Sequence, residues 1–135
     1  MRVRNVKPKI FISHSASDSA VAYKLAHALA SHGLRAGSDE GLKPRDEFAN
    51  EIGRRLRSAS IFVVLVSEDG LASPNLNFEV GAALGQNKPM FVVFLSKHAR
   101  EKAHAPLAQA PAIMAEGLSS SAIADEVVKA VQTAA

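Results

Sequence analysis

Two apolar runs constrain the fold of this chain more than any other feature of its sequence. Residues 61–66 read IFVVLV and residues 90–95 read MFVVFL. A strand that is apolar at every position is buried on both faces, which is typical of a parallel sheet covered by helices on each side. The two runs therefore predict central parallel strands.

The rest of the chain alternates between shorter strand patterns and amphipathic helix patterns. Residues 9–13 form a β-branched and aromatic run, and apolar residues then recur at helical spacing until Gly33. A weak strand at 34–36 precedes a second helix that begins near Phe48. Beyond the second apolar run, the pattern predicts a helix over 99–109, a strand over 112–115 and a helix over 121–132.

Five alternations of strand and helix predict an α/β fold with one open, five-stranded parallel sheet and helices on both faces. We expect residues 1–135 to form a single domain, with its core at about residues 8–133, because this length suits one hydrophobic core. Ligands of such sheets bind in a crevice outside the C-terminal ends of the strands.

Composition narrows the class of protein. Hydrophobic residues make up 47% and charged residues 21%, so a disordered or fibrous chain is disfavoured. The absence of cysteine excludes disulfides and thiolate metal sites, and no signal peptide or membrane span is evident, so we expect a cytoplasmic location. The net charge of +3 is too small to indicate a nucleic-acid surface.

Several nucleotide-binding and hydrolytic motifs are missing. The sequence has neither G-x-G-x-x-G nor G-x-x-x-x-G-K, which disfavours dehydrogenases and nucleoside triphosphatases, and it has no G-x-S-x-G elbow. Ser67 follows the third strand where a receiver domain would have Asp. No two of the five histidines are four residues apart on one helix, so no metal site is predicted.

The turn after the first strand offers hydroxyls and backbone N–H groups at the start of a helix. Residues 13–18 read SHSASD, and such a turn suits a phosphate or diphosphate. Capping of the helix by Ser17 or Asp18 explains the same residues.

Glu79 lies on the helix that follows the third strand. If that helix runs over 74–86, a rotation of 100° per residue puts one stripe against the sheet, with Glu79 at its edge. The predicted stripe consists of Leu76, Val80, Ala83 and Leu84. The Glu79 carboxylate can then point into the crevice, or it can face solvent as an ordinary Glu near a helix N-terminus.

Three motifs together resemble the Toll/interleukin-1 receptor (TIR) domain in its bacterial form. They are F-I-S-H-S-x-x-D over residues 11–18, D-E-x-L-K-P-x-D over residues 39–46 and the segment from Ser73-Pro74 to Phe78-Glu79. The resemblance implies a five-stranded parallel sheet. In the enzymatic branch of the family it also implies cleavage of the nicotinamide–ribose bond of NAD, giving nicotinamide with ADP-ribose or cyclic ADP-ribose. NAD would be the substrate, with no further cofactor, in antiviral defence or as an effector.

The same resemblance assigns roles to individual residues. Glu79 aligns with the catalytic glutamate, which would stabilise the oxocarbenium-like ribose as nicotinamide leaves. Asn75 stands where many members have Trp. The positions that would meet the substrate are Ser13, His14, Ser15, Asp39, Phe48 and Asn75.

The resemblance also implies partners. Lys43, Pro44 and Arg45 belong to a loop through which TIR domains contact each other, so a homo-oligomer or filament is expected on activation. Binding to nucleic acid or membrane is not expected. The alternative function is a non-enzymatic adaptor that works by TIR–TIR association.

A second resemblance concerns the segment from Asn77 to Gly85, N-F-E-V-G-x-A-L-G. This segment is similar to nucleoside deoxyribosyltransferase-like domains, which act on N-glycosidic bonds with a Glu. Both enzyme families point to Glu79.

Overall fold

The strands form one parallel sheet. A computed structural model describes the backbone of residues 9–38 and 48–134 and the side chains of residues 9–38 and 51–133. The strands in this part of the chain are β1 (Lys9–Ser13), β2 (Arg35–Gly37), β3 (Ile61–Val66), β4 (Met90–Phe94) and β5 (Ala112–Met114). They pair in the order β2-β1-β3-β4-β5, and every pairing is parallel. The predicted open five-stranded sheet is therefore confirmed.

Helices cover both faces of this sheet. They are α1 (Ser19–Ser31), α2 (Phe48–Ser58), α3 (Pro74–Gly85), α4 (Lys97–Lys102) and α5 (Ser120–Ala134). Short 3₁₀ turns occur at Ala16–Asp18, Asp69–Ala72 and Leu107–Gln109. One hydrophobic core packs α1 and α5 against the sheet, and a second core packs α2, α3 and α4 against the opposite face. None of the helices described here has the length and hydrophobicity that crossing a bilayer would require.

The central strand shows why both layers are needed. All six residues of β3 are buried, with Val63 and Leu65 in the α1/α5 core and Phe62, Val64 and Val66 in the other core. The edge strands β2 and β5 have three residues each and expose two of them. This exposure explains why their sequence patterns are weak.

The helix predicted over 99–109 is wrong in its length. Helix α4 ends at Lys102, Ala103 is extended, and only a 3₁₀ turn follows at Leu107–Gln109. Pro106 accounts for the break, because proline has no N–H to donate within a helix and disfavours helical backbone in the residue before it. The other predicted helices are present, and Gly33 follows α1 with φ +80° as a helix stop.

The predicted inward stripe of α3 also needs one correction. Leu76, Val80 and Ala83 are buried as expected, but Leu84 is 44% exposed, and the fourth buried position is Glu79. Positions 76, 79, 80 and 83 follow the i, i+3, i+4, i+7 spacing of a single helix face. The prediction chose Leu84 because it is apolar, whereas the rotation of α3 buries Glu79.

The rotation of α3 can be tested with two Leu→Ala substitutions on the same helix. Leu76→Ala should lower the free energy of unfolding by about 2–5 kcal/mol, because it leaves a cavity in the core. Leu84→Ala should change the free energy of unfolding by less than about 1 kcal/mol, because that side chain is largely in solvent. Urea unfolding measures both values, and equal losses would contradict the observed rotation of α3.

Candidate active site

A buried hydrogen bond joins the end of β1 to α3. The Ser13 hydroxyl donates to Glu79 Oε1 over 2.6 Å, and both residues have no exposed surface. The two residues are 66 positions apart in the sequence. They meet between β1 and β3, where the strand order reverses and where ligands of open α/β sheets bind.

The start of α3 determines where Glu79 lies. The Ser73 hydroxyl caps the helix by accepting from the Leu76 N–H at 3.2 Å, and Pro74 occupies the first helical position. The Asn77 side-chain amide donates to the backbone oxygens of Leu71 and Ser73. The helix therefore begins at a defined residue, and Glu79 follows in its second turn.

The burial of Glu79 is not what core packing alone would select. Taking a carboxylate out of water is costly unless other groups bind it, and Leu or Ala would fill the same stripe without that cost. Of the two orientations that the sequence left open for Glu79, the solvent-facing one is wrong, because the residue has no exposed surface. A carboxylate held in this way at a ligand crevice is a candidate for chemistry.

The loop after β1 contains four of the residues singled out from the sequence, namely His14, Ser15, Ser17 and Asp18. The Ser15 hydroxyl lies 2.8 Å from Ser17 Oγ and donates to Asp18 Oδ2 over 3.0 Å. His14 Nδ1 lies 2.8 Å from the backbone oxygen of Ser15. Asp18 occupies the N-cap position of α1, but its side chain makes no capping hydrogen bond, so the predicted capping by Ser17 or Asp18 side chains is wrong.

The loop after β3 contributes residues that the sequence did not indicate. The Ser67 hydroxyl donates to Asp18 Oδ2 over 2.6 Å and accepts from the Gly70 N–H over 3.1 Å. This contact joins the loop after β3 to the loop after β1. The sequence shows Asp18 close to Ser15 and Ser17, but it does not show the contact with Ser67, 49 positions away.

An exposed ion pair lies between the same loop and α4. The Lys102 ammonium lies 2.8 Å from Glu68 Oε2. The hydrogen bond from Lys102 and its positive charge lower the pKa of Glu68, and the hydrogen bond to Glu68 and its negative charge raise the pKa of Lys102. Solvent screens this pair, so it contributes little to the stability or the position of the loop.

A separate cavity lies on the α1 side of β1. Its volume is about 260 Å³, and its walls include His14, Tyr23, Ser38 and Arg55. The Ser13 side chain lies on the opposite face of β1, toward α3. Adjacent residues of a strand point to opposite faces, so Ser13 and His14 line different sides of the sheet.

The structure describes only some of the remaining predicted site residues. Asn75 is exposed in the first turn of α3, one turn before Glu79, and Phe48 is the first residue of α2, with its side chain outside the described residues. Four residues lie wholly outside the described part, namely Asp39, Lys43, Pro44 and Arg45. The structure thus brings Ser13 and Glu79 together, and the substrate-binding roles of the others stay predictions.

Metal ligation finds no support in the described residues. Within residues 9–38 and 48–134, no group of three His, Cys, Asp or Glu side chains is arranged to hold an ion.

Solved structures share this architecture. The CMP N-glycosidase BcmB of Clostridium botulinum matches with a TM-score of 0.62 and 13% identity, over 90% of this chain and 98% of that one. A de novo designed Rossmann 2x3 protein matches with a TM-score of 0.57 and 11% identity, over 95% and 91% of the two chains. At such identities the likeness shows the fold alone.

Sequence comparison identifies the family. No curated protein matches the chain. The model of the TIR domain, however, matches residues 10–128, which include all five strands except the first residue of β1. This chain therefore belongs to the TIR domain family.

Proposed function

We propose that this TIR domain cleaves the N-glycosidic bond between nicotinamide and ribose in NAD, with Glu79 as its catalytic residue. The observation that carries the proposal is the buried Ser13–Glu79 pair at the point where the strand order reverses. The products would be nicotinamide and either ADP-ribose or cyclic ADP-ribose, in bacterial immune defence or as an effector.

Three observations support this reaction class. The carboxylate is at the ligand crevice of an open α/β sheet. The chain is a TIR domain. The C. botulinum protein with the same fold is an N-glycosidase, although its substrate is CMP. The first two observations favour Glu79 as the acting group, and the third supports the kind of bond that is cleaved.

The chemistry needs one well-placed negative charge. As the C–N bond breaks, its electron pair moves to the ring nitrogen, so nicotinamide leaves as a neutral molecule without general acid catalysis. Positive charge develops on the ribose, and the Glu79 carboxylate stabilises it in a site with little water. Water or an internal nucleophile of the ADP-ribose then attacks the sugar, and in hydrolysis the attacking water releases a proton as the new C–O bond forms.

Ser13 orients the carboxylate for this step. Its hydroxyl is buried and donates to Glu79 Oε1, which restricts the rotation of the carboxylate. A fixed anion needs no reorganisation when charge appears on the ribose. Ser13 therefore acts through Glu79 in this mechanism.

The burial of Glu79 adds a requirement. A residue with no exposed surface can touch a substrate only after the crevice opens. We propose that association of TIR domains through the loop with Lys43, Pro44 and Arg45 favours the open form. Activity should then rise with protein concentration.

Glu79→Gln should abolish turnover of NAD. The amide keeps the shape of the side chain but lacks the charge that stabilises the ribose, so we expect a loss of at least about a hundredfold in kcat. Nicotinamide release is measured by chromatography at high protein concentration with a crowding agent. Glu126→Gln is the matched control, because it makes the same change at a partly exposed residue of α5.

The substrate is identified in the same assay. CMP is supplied in parallel with NAD. Release of cytosine without release of nicotinamide would uphold the N-glycosidase activity and show that NAD is not the substrate. Equal turnover by Glu79→Gln and wild type would overturn the role of Glu79. Concentration-dependent self-association with no cleavage of either nucleotide would favour the adaptor function instead.

Ser13→Ala should lower kcat without removing activity. A hydrogen bond to a charged group contributes about 1.5–3 kcal/mol, which corresponds to a loss of about ten- to a hundredfold in rate. Ser31→Ala is the control, because it removes an exposed hydroxyl that donates to a backbone oxygen within α1. Full activity in Ser13→Ala would show that the buried hydrogen bond does not orient Glu79.

A further inference from the structure

Asp18 is a buried carboxylate that the proposed reaction does not use. It is 7% exposed, and its Oδ2 atom accepts hydrogen bonds from both Ser15 and Ser67. A carboxylate out of water needs such donors to remain charged, and charge-assisted hydrogen bonds are about twice as strong as neutral ones. The arrangement is therefore a strong connection between the two loops that contribute the donors.

One side of this connection leads to Ser13. Ser15 lies two residues after Ser13, and the Asp18 N–H donates to the Ser15 backbone oxygen over 3.0 Å. The Ser15 hydroxyl donates to Asp18 Oδ2 as well. Two hydrogen bonds between Ser15 and Asp18 thus close a turn directly after Ser13, the residue that binds Glu79.

The other side leads to α3. The Ser67 hydroxyl accepts from Gly70 N–H, the Gly70 backbone oxygen accepts from Ser73 N–H over 3.0 Å, and the Ser73 hydroxyl caps α3. Each of these bonds joins residues three positions apart, so Ser67 can move little relative to the start of α3. Asp18 is thereby linked to the helix that presents Glu79.

Gly70 packs directly against this connection. A Cβ atom at residue 70 would lie 3.2 Å from Ser67 Oγ, 3.3 Å from Asp18 Oδ2 and 3.5 Å from Ser15 Oγ. At residue 70 the backbone of the loop after β3 therefore approaches these polar groups so closely that a Cβ atom would require its neighbours to shift by a few tenths of an ångström. A methyl group at residue 70 would push the two loops apart without removing any hydrogen-bonding group.

We propose that Asp18 is a positioning residue for Glu79: by joining the loop after β1 to the loop after β3, it sets the distance at which Ser13 meets the carboxylate. This role rests on the proposed function of Glu79, but the joining of the loops can be measured without turnover. Misplacement of a reacting group lowers the rate of the chemical step more than the affinity for the substrate.

The test uses Asp18→Asn, Ser67→Ala and the double variant. We expect each single variant to lower kcat by about ten- to a hundredfold with little change in KM, because positioning and not binding is lost. The double variant should be no slower than the slower single variant, since both changes break one connection. Glu68→Gln is the matched control on the same loop, because it removes only the exposed contact with Lys102, and its kcat should equal that of the wild type.

A second readout is independent of turnover. The ¹³C signal of the Glu79 carboxyl, identified by its loss in Glu79→Gln, should shift in Asp18→Asn and Ser67→Ala and stay in place in Glu68→Gln. If Asp18→Asn does not fold, Gly70→Ala takes its place, because it displaces the loops and keeps every polar group.

The outcomes separate the two proposals. An unshifted Glu79 signal in Asp18→Asn, or losses in kcat that multiply in the double variant, would overturn the positioning role. A shifted signal in a protein that cleaves no nucleotide would overturn the proposed reaction and uphold the connection between Asp18 and Glu79.

Discussion

Strand β3 has no exposed residue, so the chain must supply a helical layer on each face of the sheet. Crossovers between parallel strands are right-handed. The face on which a crossover helix lies therefore depends on the direction in which the chain moves along the sheet. The chain moves outward from β1 to β2 and then returns past β1 to β3. Helices α1 and α3 therefore leave neighbouring strands on opposite faces, and the expected crevice between their N-termini follows from this reversal of the strand order.

Glu79 is the exception to the apolar packing of α3. It occupies one of four regularly spaced positions on the inner face of α3, and the other three are apolar. An apolar residue there would avoid the cost of burying a charge, so retention of a carboxylate is a local departure from what packing favours. Such departures are expected at functional sites, and this one coincides with the crevice.

The sequence predicts the sheet well because its signals are local. Residues 61–66 and 90–95 are apolar throughout, as expected for strands that are covered by helices on both faces. The rotation of α3 was predicted less well, because hydrophobicity favours Leu84 over Glu79, and only the contact with Ser13 shows which residue faces the sheet. The capping of α1 was mispredicted for a similar reason. Asp18 stands at the N-cap, but its side chain accepts from Ser67, which follows a distant strand, and not from the N–H groups of the helix. Pairings between distant loops leave no periodic pattern in a sequence.

The contacts around Glu79 also restrict how the crevice can open. The loops after β1 and β3 are joined by the hydrogen bond from Ser67 to Asp18. Moving either loop alone would break the hydrogen bond from Ser67 and leave the buried Asp18 carboxylate with one donor fewer, which is costly. The two loops should therefore move together or stay in place, while the Ser13–Glu79 bond fixes the carboxylate between them. Access to Glu79 therefore requires movement of the two loops as one unit or movement of elements outside this connection.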